Sequence, residues 1–395
     1  MKKYLSVILC LVAFYACSEE DARQPLSGSR GKPAPVTEAK ARPIPGGAII
    51  SYKIPDTDDL LAVKAVYTLS NGKQGEVMAS YFVDTLKLEG LADTLQHTAT
   101  LYAVSRSQVL SDPETVTFKP LESSLSMTMK TVRITADFGG ALFQWKNDDR
   151  ALLNFDLLAE NDRGEMVVTN VLQNRLDSME YSVRGFAPEP RKFAINISDQ
   201  WGNQSGYIYP EGEYLTPIYE EKLDKSKMQF LHLLGDSDYG GWGGMDLFML
   251  DDDLSTFGHS SWLDGWPAYT TIDLGKKAFL SRIVVHQRMY GSMYYNNANW
   301  KKFKVYKSLP ETPAYNPLGE WQEIMACEIE KPSGMPIDEC TSEDLRQAKK
   351  GHDFSFPRNM EAVRYVRIAA TESWLGGAAP FGFLSEITFY GSYAE

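Results

Sequence analysis

The chain has few of the residues from which nucleophilic and metal-dependent active sites are assembled. It contains five histidines and four cysteines among 395 residues, and it has no HExxH, GxSxG or CxxC motif. An acyl-transfer triad or a zinc site therefore has little to draw on. Basic residues are also in the minority, at 40 against 52 acidic ones, and they form no cluster. The net charge of −12 argues against nucleic acid and anionic lipid as partners.

One short segment, GDS at Gly235–Ser237, resembles the nucleophile block of SGNH hydrolases. No Asp-x-x-His follows it to supply the base and its orienting acid. Glycoside hydrolysis needs only two carboxylates, so motifs do not exclude it. A weak glycoside-processing enzyme therefore stays open as a minor alternative.

A long apolar run is found only at the N-terminus. After Lys2 and Lys3 the sequence reads LSVILCLVAFYA, which is too short to span a bilayer as a permanent helix. It is typical of an export signal, and residues 1–16 are expected to be removed as a lipoprotein signal peptide. The FYAC pattern at Phe14–Cys17 resembles a bacterial lipobox, which implies that Cys17 carries the acyl chains of a lipid anchor.

The segment after Cys17 predicts which way the anchored protein faces. The SEED tract at Ser18–Asp21 resembles the surface-export signal of Bacteroidetes lipoproteins. That resemblance implies an outer-membrane anchor with the protein facing the cell exterior. Residues 17–37 are acidic and rich in Pro and Gly, which is typical of a flexible tether.

Cysteine is scarce once the signal peptide is set aside. With Cys10 removed and Cys17 lipidated, Cys327 and Cys340 remain. In an oxidising compartment these two would close a short loop, with a bond worth about 3 kcal/mol in the chain-entropy model. Two unpaired thiols are the alternative.

Residues 38–120 and 121–215 predict two tandem antiparallel β-sandwiches. Each stretch is a series of short alternating runs separated by turn residues, with no helical period. The GGA run at Gly46–Ala48 recurs 93 residues later at Gly139–Ala141. Because similar offsets hold along the whole length, the second stretch is a second copy of the first.

Both copies resemble fibronectin type III modules. The first contains PGGAIISYKIPDTDDL, YTLSNGK and LYAVSRS, which are similar to sequences of a family of Bacteroidetes surface lipoproteins. Members with two such modules and a discoidin-like end are typically encoded beside glycan-uptake systems. The resemblance covers about the first half of the mature chain and implies such a setting.

Residues 216–395 predict a third β domain with more aromatic residues and glycines. The runs that carry its resemblance are, in order, DDDLSTFGHSSW, YTTIDLG, RIVVHQR, KFKVYKS, RYVRI and LSEITFYG. They resemble the discoidin fold of coagulation factor 5/8 type C domains and of galactose-binding-like carbohydrate-binding domains. The whole chain is thus expected to be all-β, with two tandem fibronectin type III-like sandwiches followed by a discoidin-like jelly-roll β-sandwich.

The acidic start of the DDDLSTFGHSSW loop predicts a cation site. Calcium takes six to eight hard oxygens, and Asp251, Asp253 and Thr256 offer them at suitable spacing. In the discoidin-like sugar-binding modules, a structural calcium is bound by the first acid, a carbonyl two residues on and the Thr. An acidic turn capped by Thr256 without a metal is the alternative.

The same resemblance implies the rest of the calcium site. The glutamate of the final strand corresponds to Glu386, and Phe248 and Ser385 are expected to offer carbonyl oxygens. The family usually has Gly where this chain has Asp252, which changes the local charge. The expected role of the ion is structural.

The second half of the loop predicts a sugar-binding site. A sugar is bound by an aromatic ring that packs against its C–H face and by polar groups that form hydrogen bonds with its hydroxyls. His259 and Trp262 lie three residues apart, as do the histidine and tryptophan of galactose-binding discoidin modules. Phe381 is an alternative to Trp374 as a final aromatic contact, and each tryptophan is equally consistent with a core position. The resemblance to those modules also implies an arginine, an asparagine and a last aromatic residue as contacts, so the candidate ligand-binding residues are His259, Trp262, Trp266, Arg288, Asn296 and Trp374.

These features predict a non-catalytic cell-surface lipoprotein that captures polysaccharide or oligosaccharide for an uptake system. The expected partners are a glycan, the outer membrane through the lipid anchor, and proteins of a glycan-uptake complex. The expected cofactor is structural calcium. The leading alternative is a structural or protein-binding subunit of an envelope complex.

Overall fold

The computed structural model describes residues 31–394, except for residues 264, 292–293, 316–318, 338, 359 and 377–379. The expected signal peptide, Cys17 and the first part of the tether lie outside the described residues. Strands dominate the part that is described, and the predicted all-β fold is confirmed. No described helix is long and apolar enough to cross a membrane.

The chain forms two compact units. Within the described residues, the first unit comprises residues 31–136, 141–183 and 189–216. The second comprises residues 137–140, 184–188 and 217–394.

Two antiparallel sheets make the first sandwich. Its strands are β1 (Thr37–Ile44), β2 (Gly47–Lys53), β3 (Leu60–Thr68), β4 (Gln74–Ser80), β5 (Thr85–Leu88), β6 (His97–Ser105) and β7 (Glu114–Phe118). One sheet has the order β1-β2-β5 and the other the order β4-β3-β6-β7. Side chains alternate between core and surface as a half-buried strand requires, so that Val63, Ala65 and Tyr67 on β3 are buried.

The second sandwich repeats this topology after a short helix, α1 (Ser124–Met129). Its strands are β8 (Arg133–Asp137), β9 (Gly140–Lys146), β10 (Leu153–Glu160), β11 (Met166–Asn174), β12 (Ser178–Arg184), β13 (Arg191–Asp199), β14 (Gln204–Ile208) and β15 (Tyr214–Leu215). The sheet orders are β12-β9-β8 and β11-β10-β13-β14, with β15 pairing β13. The duplicated Gly-Gly runs share a conformation as well, because Gly46 and Gly139 have φ values of 62° and 63°. The predicted tandem repeat is therefore confirmed.

One large antiparallel sheet forms the centre of the second unit. From Glu221 onward, the strands and the α-helix of this unit are β16 (Glu221–Lys222), β17 (Gln229–Phe230), β18 (Gly258–His259), β19 (Ala268–His286), β20 (Trp300–Ser308), β21 (Trp321–Glu328), α2 (Ser342–Lys350), β22 (His352–Ser355), β23 (Val363–Ser373), β24 (Phe383–Leu384) and β25 (Glu386–Tyr393). The main sheet has the order β16-β25-β19-β23-β20-β21, and β18 pairs separately with β24. Large buried side chains from its central strands, including Ile272, Trp300, Phe303 and Phe389, fill the core.

Helix α2 begins and ends where its capping residues predict. The Thr341 side chain accepts a hydrogen bond from the backbone N–H of Asp344, and the Asp344 carboxylate accepts one from the backbone N–H of Thr341. This reciprocal capping box satisfies two donors that a helix start would otherwise leave unpaired. Gly351 ends the helix with a φ of 90°, which favours glycine.

The disulfide expectation is corrected, because Cys327 and Cys340 are both free thiols. Cys327 is buried on β21, where it pairs in register with Phe303 of β20. Cys340 instead lies against the carbonyl oxygen of Tyr294, with its Sγ at 3.5 Å. Burial raises the pKa of the Cys327 thiol to about 12, so it is protonated and unreactive at neutral pH.

Candidate functional site

A group of aromatic rings forms an exposed surface on the second unit. Trp242 lies 4.7 Å from the ring of His259 and 5.5 Å from that of Phe381, centroid to centroid. Trp262 meets Phe381 edge to face, at 5.8 Å and 87°. Trp262 is 69% exposed and Trp242 58% exposed. Exposed aromatic groups of this kind mark ligand or partner surfaces, because the hydrophobic effect otherwise favours burying them.

The GGWGG run explains how Trp242 reaches this surface. A Cβ on Gly241 would lie 3.0 Å from the carbonyl oxygen of His259, and one on Gly244 would lie 2.8 Å from the backbone nitrogen of His259. Larger residues would therefore push the loop away from β18. Trp242 itself has a φ of 50°, a conformation that bulky residues rarely adopt.

The other rings are brought together by pairing between β18 and β24. In this ladder His259 lies opposite Phe383, and Gly258 lies opposite Leu384. Phe381 precedes β24 and its ring lies 5.0 Å from that of His259. A contact between segments more than 120 residues apart thus assembles the surface.

His259 is held as a neutral hydrogen-bond acceptor. Its Nδ1 lies 2.9 Å from the carbonyl oxygen of Ser260. Since a carbonyl only accepts, Nδ1 must carry the proton, which leaves Nε2 with a free lone pair. Burial lowers the pKa of His259, and the positive charge of Arg288 acts in the same direction. The ring is therefore neutral at pH 7.

Arg288 lies beside these rings with its charge unpaired among the described residues. Its guanidinium carbon is 3.4 Å from the ring centroid of Phe257 and 5.1 Å from that of Phe383. Asn299 fixes the backbone of Arg288, accepting from its N–H at 2.8 Å and donating to its carbonyl at 2.9 Å. The guanidinium is thus stacked on aromatic faces, and its N–H groups remain available as donors.

The structure brings some of the predicted ligand residues together and leaves others apart. His259, Trp262 and Arg288 join through the shared rings of Phe381 and Phe383. The side chain of Asn296 is buried and donates to the carbonyl oxygen of Tyr290 at 3.1 Å, so it supports the neighbouring loop.

Trp266 and Trp374 pack against the core, and both are partly buried. Trp266 lies beneath Gly382, where a Cβ would come within 2.8 Å of its ring. Trp374 packs edge to face on Tyr295 at 5.4 Å.

Four ring residues beyond the six candidates pack with this group, and one of them, Phe383, is buried beneath it. Phe381 takes the position for which Trp374 was the other candidate, and Trp242 packs beside it from the GGWGG run. Phe257 and Phe383 were missed, although Phe257 directly precedes the Gly-His pair and Phe383 begins a short apolar run.

An oxygen-rich loop lies directly before these residues in the chain. The Thr256 hydroxyl oxygen is 2.9 and 3.0 Å from the two carboxylate oxygens of Asp251. It is also 2.8 Å from the carbonyl oxygen of Asp253 and 3.3 Å from that of Phe248. The Thr256 hydroxyl has a single hydrogen, which can be donated in only one of these four contacts. In the other contacts two oxygen atoms lie close together with no proton between them. Such a cluster suits a hard cation.

The remaining predicted calcium ligands lie at the other end of the loop. Glu386 accepts a hydrogen bond from the backbone N–H of Asp252 at 2.7 Å, and the Ser385 hydroxyl lies 3.4 Å from the carbonyl oxygen of Leu254. The Asp253 carboxylate caps Ser255, so Asp253 faces Thr256 through its carbonyl. No three His, Cys, Asp or Glu side chains converge as a metal site within the described residues. Any cation here would be held by the Asp251 carboxylate together with carbonyl and hydroxyl oxygens.

Three family models match the chain, and each is described as a domain of unknown function. They are DUF4959 over residues 33–120, DUF5126 over residues 121–226 and DUF5000 over residues 250–391. No curated protein matches the chain.

Several solved structures are similar to parts of the chain. SusE-like protein BT2857 is 27% identical over 68% of this chain and 98% of its own, with a TM-score of 0.44. CBM32-3 from a family 31 glycoside hydrolase of Clostridium perfringens is 22% identical over 43% of this chain and 95% of its own, with a TM-score of 0.31. A two fibronectin type III domain segment of chicken tenascin is 14% identical over 46% of this chain and 99% of its own, with a TM-score of 0.23.

Proposed function

We propose that this chain is a non-catalytic glycan-binding protein of the cell surface that captures polysaccharide or oligosaccharide for an uptake system. The observation that carries the proposal is the exposed aromatic surface of Trp242, Trp262 and Phe381 beside His259 and Arg288. This surface combines flat apolar ring faces with a hydrogen-bond acceptor, Nε2 of His259, and a hydrogen-bond donor, the guanidinium of Arg288. Lipid anchoring at Cys17 and a place in a glycan-uptake complex belong to the same proposal.

The chemistry of this surface fits a sugar. The C–H face of a pyranose ring packs on indole or phenyl faces, as other amphipathic ligands do. A sugar hydroxyl both donates and accepts, so the hydroxyls of a bound sugar can donate to Nε2 of His259 and accept from the guanidinium of Arg288. A neutral histidine is needed for this pairing, since a protonated ring would have no acceptor.

The proposal is tested on a glycan array of bacterial, plant and host glycans, using the mature protein. Trp262→Ala should lose binding by about tenfold or more while remaining folded, because truncating an aromatic anchor typically costs over 1.4 kcal/mol. Phe82→Ala is the matched control, since Phe82 is an exposed aromatic residue of the first unit, 78% accessible, and should bind as wild type.

Two results would contradict the proposal. One is a negative array for the wild-type protein together with co-purification of a stable protein partner, which would favour a protein-binding subunit. The other is retained glycan binding by Trp262→Ala. Release of products from a bound glycan would indicate an enzyme instead.

A structural calcium ion at the oxygen-rich loop is part of the proposed function. The residues that fit it are Asp251 and Thr256 through side-chain oxygens, and Phe248 and Asp253 through carbonyls. Bound there, calcium would supply positive charge that draws these oxygens together. Because Thr256 lies three residues before His259, the ordering of this loop supports the aromatic surface.

A further inference from the structure

Lys225 is a buried cation in contact with the loop that carries the proposed calcium site. Its ammonium nitrogen lies 2.8 Å from a carboxylate oxygen of Glu386 and 2.7 Å from one of Asp252. The Lys225 side chain is only 6% exposed, and that of Glu386 only 2%. A buried lysine is costly unless its charge is paired, so this arrangement is a specific feature of the fold.

The surrounding contacts engage both carboxylate oxygens of Glu386. Lys225 holds one carboxylate oxygen, which also accepts from the N–H of Ile387 at 3.1 Å. The backbone N–H of Asp252 donates to the other oxygen at 2.7 Å. Burial raises the pKa of Glu386 above its ordinary value although Lys225 opposes the shift.

Asp252 turns its charge toward the lysines. Its φ of 64° is in the left-handed region, which Asp visits more readily than most residues. There its carboxylate contacts Lys225 and also Lys222, at 2.6 Å. Burial works to raise the pKa of Asp252, but the two lysines outweigh it and leave that pKa below its ordinary value.

The loop therefore has two ends with different chemistry. At the Glu386 end, an ammonium group supplies the positive charge. At the Thr256 end, the described residues place only oxygens around the hydroxyl, with no lysine or arginine paired to Asp251.

We infer that Lys225 is a built-in cation that removes Glu386 from the calcium ligands and closes that end of the loop without metal. The inference rests on the calcium ion of the proposed function. Calcium is then left with Phe248, Asp251, Asp253 and Thr256, and its affinity is lowered by the loss of a carboxylate. Freeing Glu386 should restore a stronger site, since calcium affinity rises with the number of charged ligands.

Calorimetric titration of the mature protein with calcium chloride tests this inference. Lys225→Met should bind calcium about tenfold more tightly than wild type, because it leaves the buried Glu386 carboxylate in need of a cation while Asp252 keeps Lys222. Its melting temperature should also rise more on adding calcium. Lys222→Met is the matched control: Lys222 is exposed and, among the described residues, forms its ion pair with Asp252 and not with Glu386, so this variant should keep wild-type calcium affinity.

A second variant keeps the test independent of folding defects. In Lys225→Met with Glu386→Gln, neither charge remains buried alone, and the gain in calcium affinity should disappear. Calcium binding by Lys225→Met that is no tighter than wild type, absent binding included, would overturn the inference. If Lys225→Met binds calcium and the wild-type protein does not, the inference about Lys225 is supported. Only the proposal that the native protein binds calcium is then rejected. Glycan binding, measured separately, reports on the proposed function itself.

Discussion

At the scale of single residues, the surroundings of His259 select its chemistry. The contact between Nδ1 and the Ser260 carbonyl fixes the tautomer, and burial lowers the pKa, so Nε2 keeps its lone pair at pH 7. An exposed histidine would be partly protonated near its ordinary pKa and would lose that acceptor. Trp242 depends on its backbone instead, because its left-handed conformation directs an exposed ring over His259.

A second histidine, His352, is predicted to make folding sensitive to acid. Burial lowers the pKa of His352 to about 4, and the charge of His286 adds to the shift. The unfolded chain takes up a proton at this residue near pH 6.5, whereas the folded chain does so only near pH 4. Stability contributed by the neutral ring is therefore lost as the pH falls through this window.

The test is urea unfolding of wild type and His352→Phe at pH 7 and pH 4.5. The loss of unfolding free energy between the two pH values should be about 2 kcal/mol smaller in the variant. Phe keeps a ring in contact with Tyr295, which meets His352 edge to face at 5.5 Å. Equal losses in both proteins would show that His352 is not the group responsible.

At the scale of elements, alternation of side chains predicted the strands, and the repeated Gly-Gly turns predicted the second sandwich. The positions of the tryptophans could not be predicted, because Trp262 and Trp266 lie in the same polar loop. Long-range pairing decides between them: β18 against β24 leaves Trp262 exposed, while Gly382 closes over Trp266. The contact of Lys225 with Glu386 could not be predicted from the sequence either, since the two residues lie 161 positions apart in the chain.

The oxygen-rich loop is predicted to depend on Asp251 for its response to calcium. In wild type, chelation should lower the melting temperature by about 2–4 °C, the shift expected from about 1 kcal/mol of binding. Asp251→Ala should melt lower than wild type in calcium and should not respond to chelation. Thermal scans with calcium or with a chelator measure both effects.

Asp253→Asn is the control for this element. Its carboxylate caps Ser255 and only its carbonyl faces Thr256, so Asn should keep both the turn and the calcium response. A wild-type melting temperature that chelation leaves unmoved would reject the metal assignment.

At the scale of the whole molecule, the chain joins a repeated sandwich to a different β domain that carries the polar and aromatic site. Each sandwich has its own paired sheets, and the second unit has a separate core. Because the candidate glycan surface lies on the second unit alone, the sandwiches fit a supporting role. The proposed lipid at the N-terminus would then retain the protein at the membrane.

Cys17→Ala is predicted to release the protein from the membrane. The variant should lose metabolic labelling with palmitate and should move from the membrane fraction to the soluble one, because the acyl chains supply the anchor. Cys10→Ala is the control and should remain labelled and anchored. Labelled Cys17→Ala in the membrane fraction would refute the lipidation site.

Nuclear magnetic resonance can show whether a sugar binds at the exposed rings. Indole N–H signals of the eight tryptophans can be followed while the tightest glycan from the array is titrated into ¹⁵N-labelled protein. We expect the signals of Trp242 and Trp262 to shift and to saturate with added glycan, while those of Trp266 and Trp374 stay unchanged. Shifts confined to other tryptophans, or none at all under saturating glycan, would contradict this expectation.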